Sequence, residues 1–224
     1  MSTSSPELLT PEMLLKAYSL GIFPMAEGRG DQQIYWVDPE ERGILPLECF
    51  HLPHTVRKLL RQNIFRLTVN RAFSQVIAAC AAVRPGRRDT WINHGIQELC
   101  EKLHRMGHAY SIETWLDDRL AGGLYGIALG GAFFGESMFS EASGASQCAL
   151  SELVARLRRG GFQLLDTQFV TPHLKRFGAV EIRRSRYRIL LDDALRTPAQ
   201  FPVESGEFWK DLVVPSGQSK TIRS

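Results

Sequence analysis

Apolar positions recur at helical spacing through the first half of the chain. Leu14, Ala17 and Tyr18 share one face of a helix that Thr10 can cap, Pro11 can start and Gly21 can close. The same spacing predicts a helix after Asn70 (Phe73, Val76, Ile77, Cys80) and another after Asn93 (Ile96, Leu99, Leu103), ending at Gly107. From His108 the period shortens to two, which predicts strands over 108–116, 120–129 and 132–139, joined at Asp117-Asp118 and Gly130-Gly131 as an antiparallel meander. A helix over 146–159 puts Leu150, Leu153, Val154 and Leu157 on one face and stops at Gly160-Gly161. A short strand over 163–168, a helix from Thr171-Pro172 to Gly178 and a final strand pair around 180–191 would complete an α+β domain with a mostly antiparallel sheet packed against helices.

Ahead of that domain, Phe23-Pro24, Gly28 to Gly30 and Tyr35-Trp36 form a short aromatic stretch with little core of its own. The expected organisation is a small N-terminal domain over 1–42, a main domain over 43–197 and a tail over 198–224. In the tail, Phe208-Trp209 is expected to dock and 216–224 to be disordered.

Composition adds limits rather than direction. With 224 residues, 44% hydrophobic and 23% charged, the chain is long enough for a proper core, and its formal charge of +3 does not by itself select a polyanionic partner. Cations are concentrated, however: nine Lys and Arg against two acidic residues lie between Arg156 and Arg188, and Arg84, Arg87 and Arg88 form a smaller cluster. Cys49, Cys80, Cys100 and Cys148 are too dispersed for a metal site and read as reduced thiols. No leader pattern and no long apolar run is present, so a cytoplasmic protein without a membrane anchor is expected.

Two polar insertions interrupt apolar strands. In Leu164-Leu165-Asp166-Thr167-Gln168, alternation puts Asp166 and Gln168 on one face, and a buried carboxylate needs compensation. Asp166 is open to two readings, a functional group or a helix cap or arginine partner. In Phe133-Phe134-Gly135-Glu136-Ser137-Met138-Phe139, one anion sits among aromatics, as a site for an apolar amino acid with a free ammonium would require, or as a core strand with Glu136 turned to solvent would also show. His108 and His173 read as structural. The run Arg183 to Arg188 fits a charged strand edge and phosphate contact equally. No phosphate-binding loop, nucleophile elbow or dinucleotide fingerprint occurs.

Taken in order, these segments carry a resemblance. Leu14-Leu15-Lys16-Ala17-Tyr18 with Gly21-Ile22-Phe23-Pro24, Thr90-Trp91-Ile92, Gly107-His108-Ala109-Tyr110-Ser111-Ile112-Glu113 with Trp115, Gly122-Gly123-Leu124-Tyr125-Gly126, Gly135-Glu136-Ser137-Met138-Phe139, Asp166-Thr167-Gln168 and His173-Leu174 with Gly178-Ala179 resemble the bacterial leucyl/phenylalanyl-tRNA-protein transferases. The resemblance implies a main domain similar to the acyl-CoA N-acyltransferase fold. It also implies transfer of Leu or Phe, and of Met as a further candidate, from aminoacyl-tRNA to proteins beginning with Arg or Lys, which marks them for degradation.

Neither metal nor cofactor is implied, and nothing in the reaction requires more than a monomer. By position, Trp91, Leu124, Phe133, Met138, Leu153, Leu157 and Leu165 would form the side-chain pocket, with Glu136 and Ser137 at its mouth. Asp166 and Gln168 fall on the family's catalytic pair: Asp166 would orient Gln168 and help draw the amine proton, Gln168 would bond the reacting centre, and Glu136 would join them. Arg84, Arg87, Arg88, Arg183 and Arg184 are the candidates for tRNA contact. The chain departs from the family pattern at Met25, where an aromatic is common, at Gln147, where Lys is common, and at Thr167, where some relatives carry Cys. Two rivals are an acyl-CoA-dependent N-acyltransferase, whose pyrophosphate loop the stretch from Gly126 to Gly131 does not supply, and a non-catalytic RNA-binding module, whose interleaved basic and aromatic positions are missing.

Overall fold

The computed structural model describes residues 9–31, 33–83 and 89–213. The first helix, α1 (Pro11–Ser19), starts where Thr10 Oγ1 accepts from the Met13 amide, and it buries Leu14, Ala17 and Tyr18. A small antiparallel ribbon follows, β1 (Phe23–Met25) with β2 (Tyr35–Val37). The next strand, β3 (Glu41–Ile44), leaves that ribbon and enters the main sheet. After it come α2 (His54–Arg61), β4 (Arg66–Val69), α3 (Phe73–Ala81), α4 (His94–Arg105), β5 (Ala109–Leu116), β6 (Arg119–Leu129), β7 (Ala132–Ser140), α5 (Ala145–Arg159), β8 (Leu164–Gln168), α6 (Pro172–Lys175), β9 (Val180–Arg183), α7 (Arg184–Arg196) and a 3-10 turn at Phe208–Leu212.

The main sheet has seven strands in the order β4-β5-β6-β7-β8-β3-β9. Every pairing in it is antiparallel except β7 with β8. That exception follows from α5, which carries the chain back along one face so that β8 runs beside β7 in the same direction. The meander expected from the period-two stretch is present as β5 to β7. Helices cover both faces. Residues of α1, α3, α4 and α7 form one core, around Tyr18, Val76, Leu99 and Leu191. Residues of α2, α5 and the tail form the other, around Val56, Leu153, Phe201 and Trp209. Among the described residues, no helix is long and apolar enough to cross a membrane.

Three parts of the sequence reading need correction or addition. The strand pair expected over 180–191 is one strand followed by a helix: Tyr187, Leu191 and Ala194 are buried at spacings of four and three, so the helical period wins beyond Arg183. The alternation Arg184, Arg186, Arg188 mimics a strand over too short a window to separate the two periods. The place of the missing strand is taken by β3, which lies between β8 and β9. α2 and β4 were not foreseen.

The tail docks as expected at Trp209, and it does so through buried charge. Glu152 on α5 accepts from the amides of Phe208 and Trp209 at 3.2 and 2.9 Å, while Arg156 donates to the carbonyls of Pro202, Glu204 and Gly206. Residues 216–224 lie outside the described residues.

Candidate active site

The parallel strands β7 and β8 pair over three positions only, Ala132 with Leu164, Phe133 with Leu165 and Phe134 with Asp166. Beyond Phe134 they part, because β7 stays with β6 while β8 turns toward β3. A cavity of about 470 Å³ occupies the wedge between them.

At the head of the wedge β7 carries an extra residue. Tyr125 faces Ser137 across the β6–β7 ladder and Gly126 faces Gly135, which leaves Glu136 without an opposite number. Such a bulge re-aims the side chains that follow it. Before it, Phe133 belongs to the α5-side core and Phe134 to the opposite one; after it, Met138 packs on the α5 side and Phe139 on the other. Regular alternation would have sent Met138 to the far face. The bulge therefore brings Met138 to the cavity and presents Glu136 at its edge.

The wall is apolar on the α5 side, with Leu124, Met138, Leu150, Leu153, Leu165 and Leu174. Trp91, Phe23 and Met25 close it from the N-terminal ribbon and its neighbouring loop, which the Ala26 amide ties together by donating to the Trp91 carbonyl at 3.2 Å. Glu136, Ser137, Thr167, Gln168 and His173 supply polar atoms. Of the residues singled out from the sequence, Trp91, Leu124, Glu136, Ser137, Met138, Leu153, Leu165 and Gln168 line this one cavity. Phe133 and Leu157 do not: both are fully buried, and Phe133 stacks on Phe201 in the core behind the wall.

Asp166 is also off the cavity, in a buried cage. The Arg42 guanidinium donates to it from Nε and Nη2 at 3.0 and 2.6 Å, the Tyr187 hydroxyl donates at 2.6 Å, and the Gln168 amide N–H donates at 2.8 Å. Arg42 is itself 1% exposed, lies 4.5 Å from the ring centres of both Phe23 and Tyr187, and donates to the Gly21 carbonyl. Burial works against its charge, but Asp166 outweighs that and holds its pKa above the usual arginine value. The Tyr187 phenol is pushed up by burial and by Asp166.

Gln168 departs from the regular strand that would keep it beside Asp166. Its φ is 55°, in the left-handed region that non-glycine residues seldom occupy, and the Asp166 carboxylate holds its amide there. Opposite it, Gly43 lets β3 come close: a Cβ at that position would lie 2.7 Å from the Phe169 carbonyl carbon. In the orientation that satisfies its hydrogen bonds, the Gln168 side-chain nitrogen donates to the Gly135 and Thr167 carbonyls at 2.9 and 3.2 Å. Its oxygen then faces Glu136 Oε1 across 3.5 Å. Two acceptor oxygens converging at the cavity edge suit a proton or a ligand N–H between them.

Burial pushes the Glu136 carboxyl up to about 8; the Tyr18 hydroxyl and Arg42 work against the shift, and the Asp166 charge adds to it. Its ionisation thus falls in the range where an α-amine also titrates.

Elsewhere, Arg184 donates to the Asp38 carbonyl at 2.9 Å and Arg188 pairs with the Asp38 carboxylate at 2.7 Å, while Arg183 is exposed at the end of β9. Arg84, Arg87 and Arg88 lie outside the described residues. Among the described residues no three His, Cys, Asp or Glu side chains gather as a metal would need.

Sequence reasoning missed Arg42 and Tyr187. Arg42 sits in a Glu-Glu-Arg-Gly run that reads as solvated, and Tyr187 hides among arginines. The one available signal was the helical spacing of Tyr187 to Leu191.

Residues 44–192 match the family model described as leucyl/phenylalanyl-tRNA protein transferase, and residues 7–40 match that of its N-terminal domain. A Nitrobacter winogradskyi protein named leucyl/phenylalanyl-tRNA–protein transferase is 57% identical over 97% of this chain and 94% of its own length. Proteins of the same name from Caulobacter vibrioides and Rhodospirillum rubrum are 53% and 50% identical, over 87% and 93% of this chain and 90% and 98% of theirs. The chain therefore belongs to the leucyl/phenylalanyl-tRNA–protein transferase family.

Proposed function

We propose that the protein is an aminoacyltransferase that moves leucine or phenylalanine, with methionine as a further donor group, from charged tRNA to the N-terminal amine of proteins beginning with Arg or Lys, so marking them for degradation. The observation that carries this reading is the wedge: an apolar slot that ends where the Glu136 and Gln168 oxygens converge. A branched or aromatic side chain suits the slot, and an amine or ammonium suits the oxygens. The mixed sheet with its one parallel β7–β8 contact supports likeness to the acyl-CoA N-acyltransferase fold.

The reaction is ester aminolysis. The acceptor nitrogen attacks the ester carbonyl, the C–N bond forms, the bond to the ribose oxygen breaks, and one proton passes from the amine to the leaving oxygen. The acceptor arrives largely as an ammonium near neutral pH and must lose a proton before it can attack. Glu136, at the cavity edge and with an ionisation range that meets that of an α-amine, is the group suited to take it. Gln168 hydrogen-bonds the reacting centre. Asp166 is a positioning residue: its oxygens are engaged by Arg42, Tyr187 and the Gln168 amide, so it acts by holding Gln168 in its left-handed turn. Among cations, Arg183 is the described candidate for phosphate contact, since Arg184 is committed to Asp38.

Incubation with radiolabelled Leu-tRNA and a peptide starting with Arg tests the reading. Label on the peptide is expected. Tight tRNA binding without transfer would replace it with a binding module, and transfer from acyl-CoA instead would replace the donor.

A further inference from the structure

Most of the cavity wall belongs to the main sheet and to α5, but one side does not. Phe23 and Met25 come from β1, half of a two-stranded ribbon, and Trp91 comes from the loop just ahead of α4. A two-stranded ribbon is marginal by itself, so this side keeps its shape only if its two segments are tied together. Three hydrogen bonds tie them. The Ala26 amide donates to the Trp91 carbonyl at 3.2 Å, the Arg29 amide to Asp89 Oδ1 at 3.0 Å, and the Asn93 side-chain nitrogen to the Asp31 carbonyl at 2.8 Å. Trp91 thus lies between two side chains that reach across to the same turn. Asp89 Oδ1 also accepts from the Thr90 amide at 2.8 Å, and Thr90 Oγ1 accepts from the Ile92 amide at 3.2 Å, so the backbone on either side of Trp91 is held as well. The approach is close: a Cβ on Gly28 would lie 2.5 Å from Asp89 Oδ2.

We propose that Asp89 is a positioning residue for the aminoacyl donor: by stapling the turn at 26–31 to the loop at 89–93 it fixes where Trp91 stands beside Phe23 and Met25, and so sets how tightly charged tRNA is held. The inference rests on the reading of the wedge as the donor site. Asp89 is itself exposed and off the cavity, so it acts through Trp91 and touches no reacting atom. It belongs to neither core. A carboxylate suits the task because it only accepts, and one of its oxygens takes amides from both segments at once. Those two amides hold its carboxyl below the usual carboxylate range, so the staple stays charged and closed at neutral pH. Asn93 braces the same loop from the other end, but its oxygen also caps α4 by accepting from the Ile96 amide at 2.8 Å. Asp89 is therefore the residue that can be changed without disturbing a helix.

Transfer kinetics of Asp89→Ala, Asp89→Asn and Trp91→Ala with Leu-tRNA and an Arg-starting peptide test this, together with 19F NMR of full-length protein carrying fluorotryptophan. The Trp91 line is assigned by its loss in Trp91→Ala. Asp89→Ala should raise KM for Leu-tRNA about tenfold and leave kcat within about twofold, the pattern of lost binding with the chemistry intact. KM for the acceptor peptide should not move. In the same variant the Trp91 line should shift or broaden while those of Trp36, Trp115 and Trp209 stay in place. Asp89→Asn keeps an acceptor oxygen at the same position and should recover most of the affinity, which a need for the charge alone would not allow. The inference is overturned if Asp89→Ala keeps the wild-type KM and Trp91 line while Trp91→Ala raises KM. It is also overturned if Asp89→Ala lowers kcat and the urea midpoint with KM unchanged. If Trp91→Ala itself leaves KM for Leu-tRNA unaltered, the donor-site reading falls, and the Trp91 line in Asp89→Ala still reports whether the staple holds that ring.

Discussion

The Arg42 guanidinium and the Asp166 carboxylate form a fully buried ion pair, 2.6 Å apart, that joins β3 to β8 beneath the turn carrying Gln168. Burying both charges is costly, so the pair is worth little against an apolar replacement of both residues and a great deal against loss of one. Arg42→Met should cost about 3–5 kcal/mol in urea unfolding, because Asp166 is left charged and buried without its main partner. The double variant Arg42→Met, Asp166→Leu should recover part of that stability while transfer stays lost. Full activity in the stable double variant would show that Asp166 has no part in holding Gln168.

Glu136 makes stability depend on pH. Its carboxyl titrates at about 8 in the folded chain against an ordinary value of 4.5, so between those limits the folded state binds more protons than the unfolded one. Stability from this group is complete below pH 4.5 and declines as pH rises through about 8. Allowing for its partial exposure, the decline should be on the order of 2 kcal/mol, seen as a falling urea midpoint. In Glu136→Gln that part of the dependence should vanish, and a wild-type profile that rises over the same window would contradict the assignment.

Leu153 lines the slot from α5, so its bulk helps set how large a donor group fits. Leu153→Phe should raise KM for Phe-tRNA about tenfold more than for Leu-tRNA and leave kcat for leucine nearly unchanged, the pattern of a pocket that has been narrowed. Equal effects on the two donors would mean that the side chain is recognised elsewhere.

Arg183 is exposed at the junction of β9 and α7, whereas Arg184 is held by Asp38. Arg183→Ala should weaken tRNA binding and reduce the salt slope of log K by about one, as expected when one phosphate contact is removed. Fluorescence anisotropy with labelled tRNA over a salt series measures it, and an unchanged slope would remove Arg183 from the interface.

Much of this was legible from residues alone where the signal is local. The meander, α5 and the helix caps at Thr10, Asn93 and Thr171 follow from period and end chemistry, and each cap accepts the amide three residues on. The residues whose side chains come from β6, β7, α5 and β8 converge on one cavity because they belong to adjacent elements. What escaped is non-local. Arg42 reaches Asp166 across 124 positions of sequence, and no pattern near Arg42 marks it as buried. The bulge at Glu136 depends on the pairing of two strands, and it is what sends Met138 to the α5 side while Phe133 stays in the core. The left-handed turn at Gln168 likewise breaks the alternation by which Asp166 and Gln168 would share a face. In the arginine-rich run after Val180, two periods coincide over a few residues, and only the burial of Leu191 and Ala194 decides for the helix.

Whether the β7–β8 wedge is the reaction site is decided by where the aminoacyl group sits. A structure with a bound aminoacyl-adenosine mimic, its ester replaced by an amide and its side chain that of phenylalanine, measures this. The ring should lie among Leu124, Met138, Leu153 and Leu165, with the acyl carbonyl carbon, the atom the acceptor amine attacks, beside the Glu136 and Gln168 oxygens. A ring outside the β7–β8 wedge, or an acyl carbon remote from both oxygens, would contradict it.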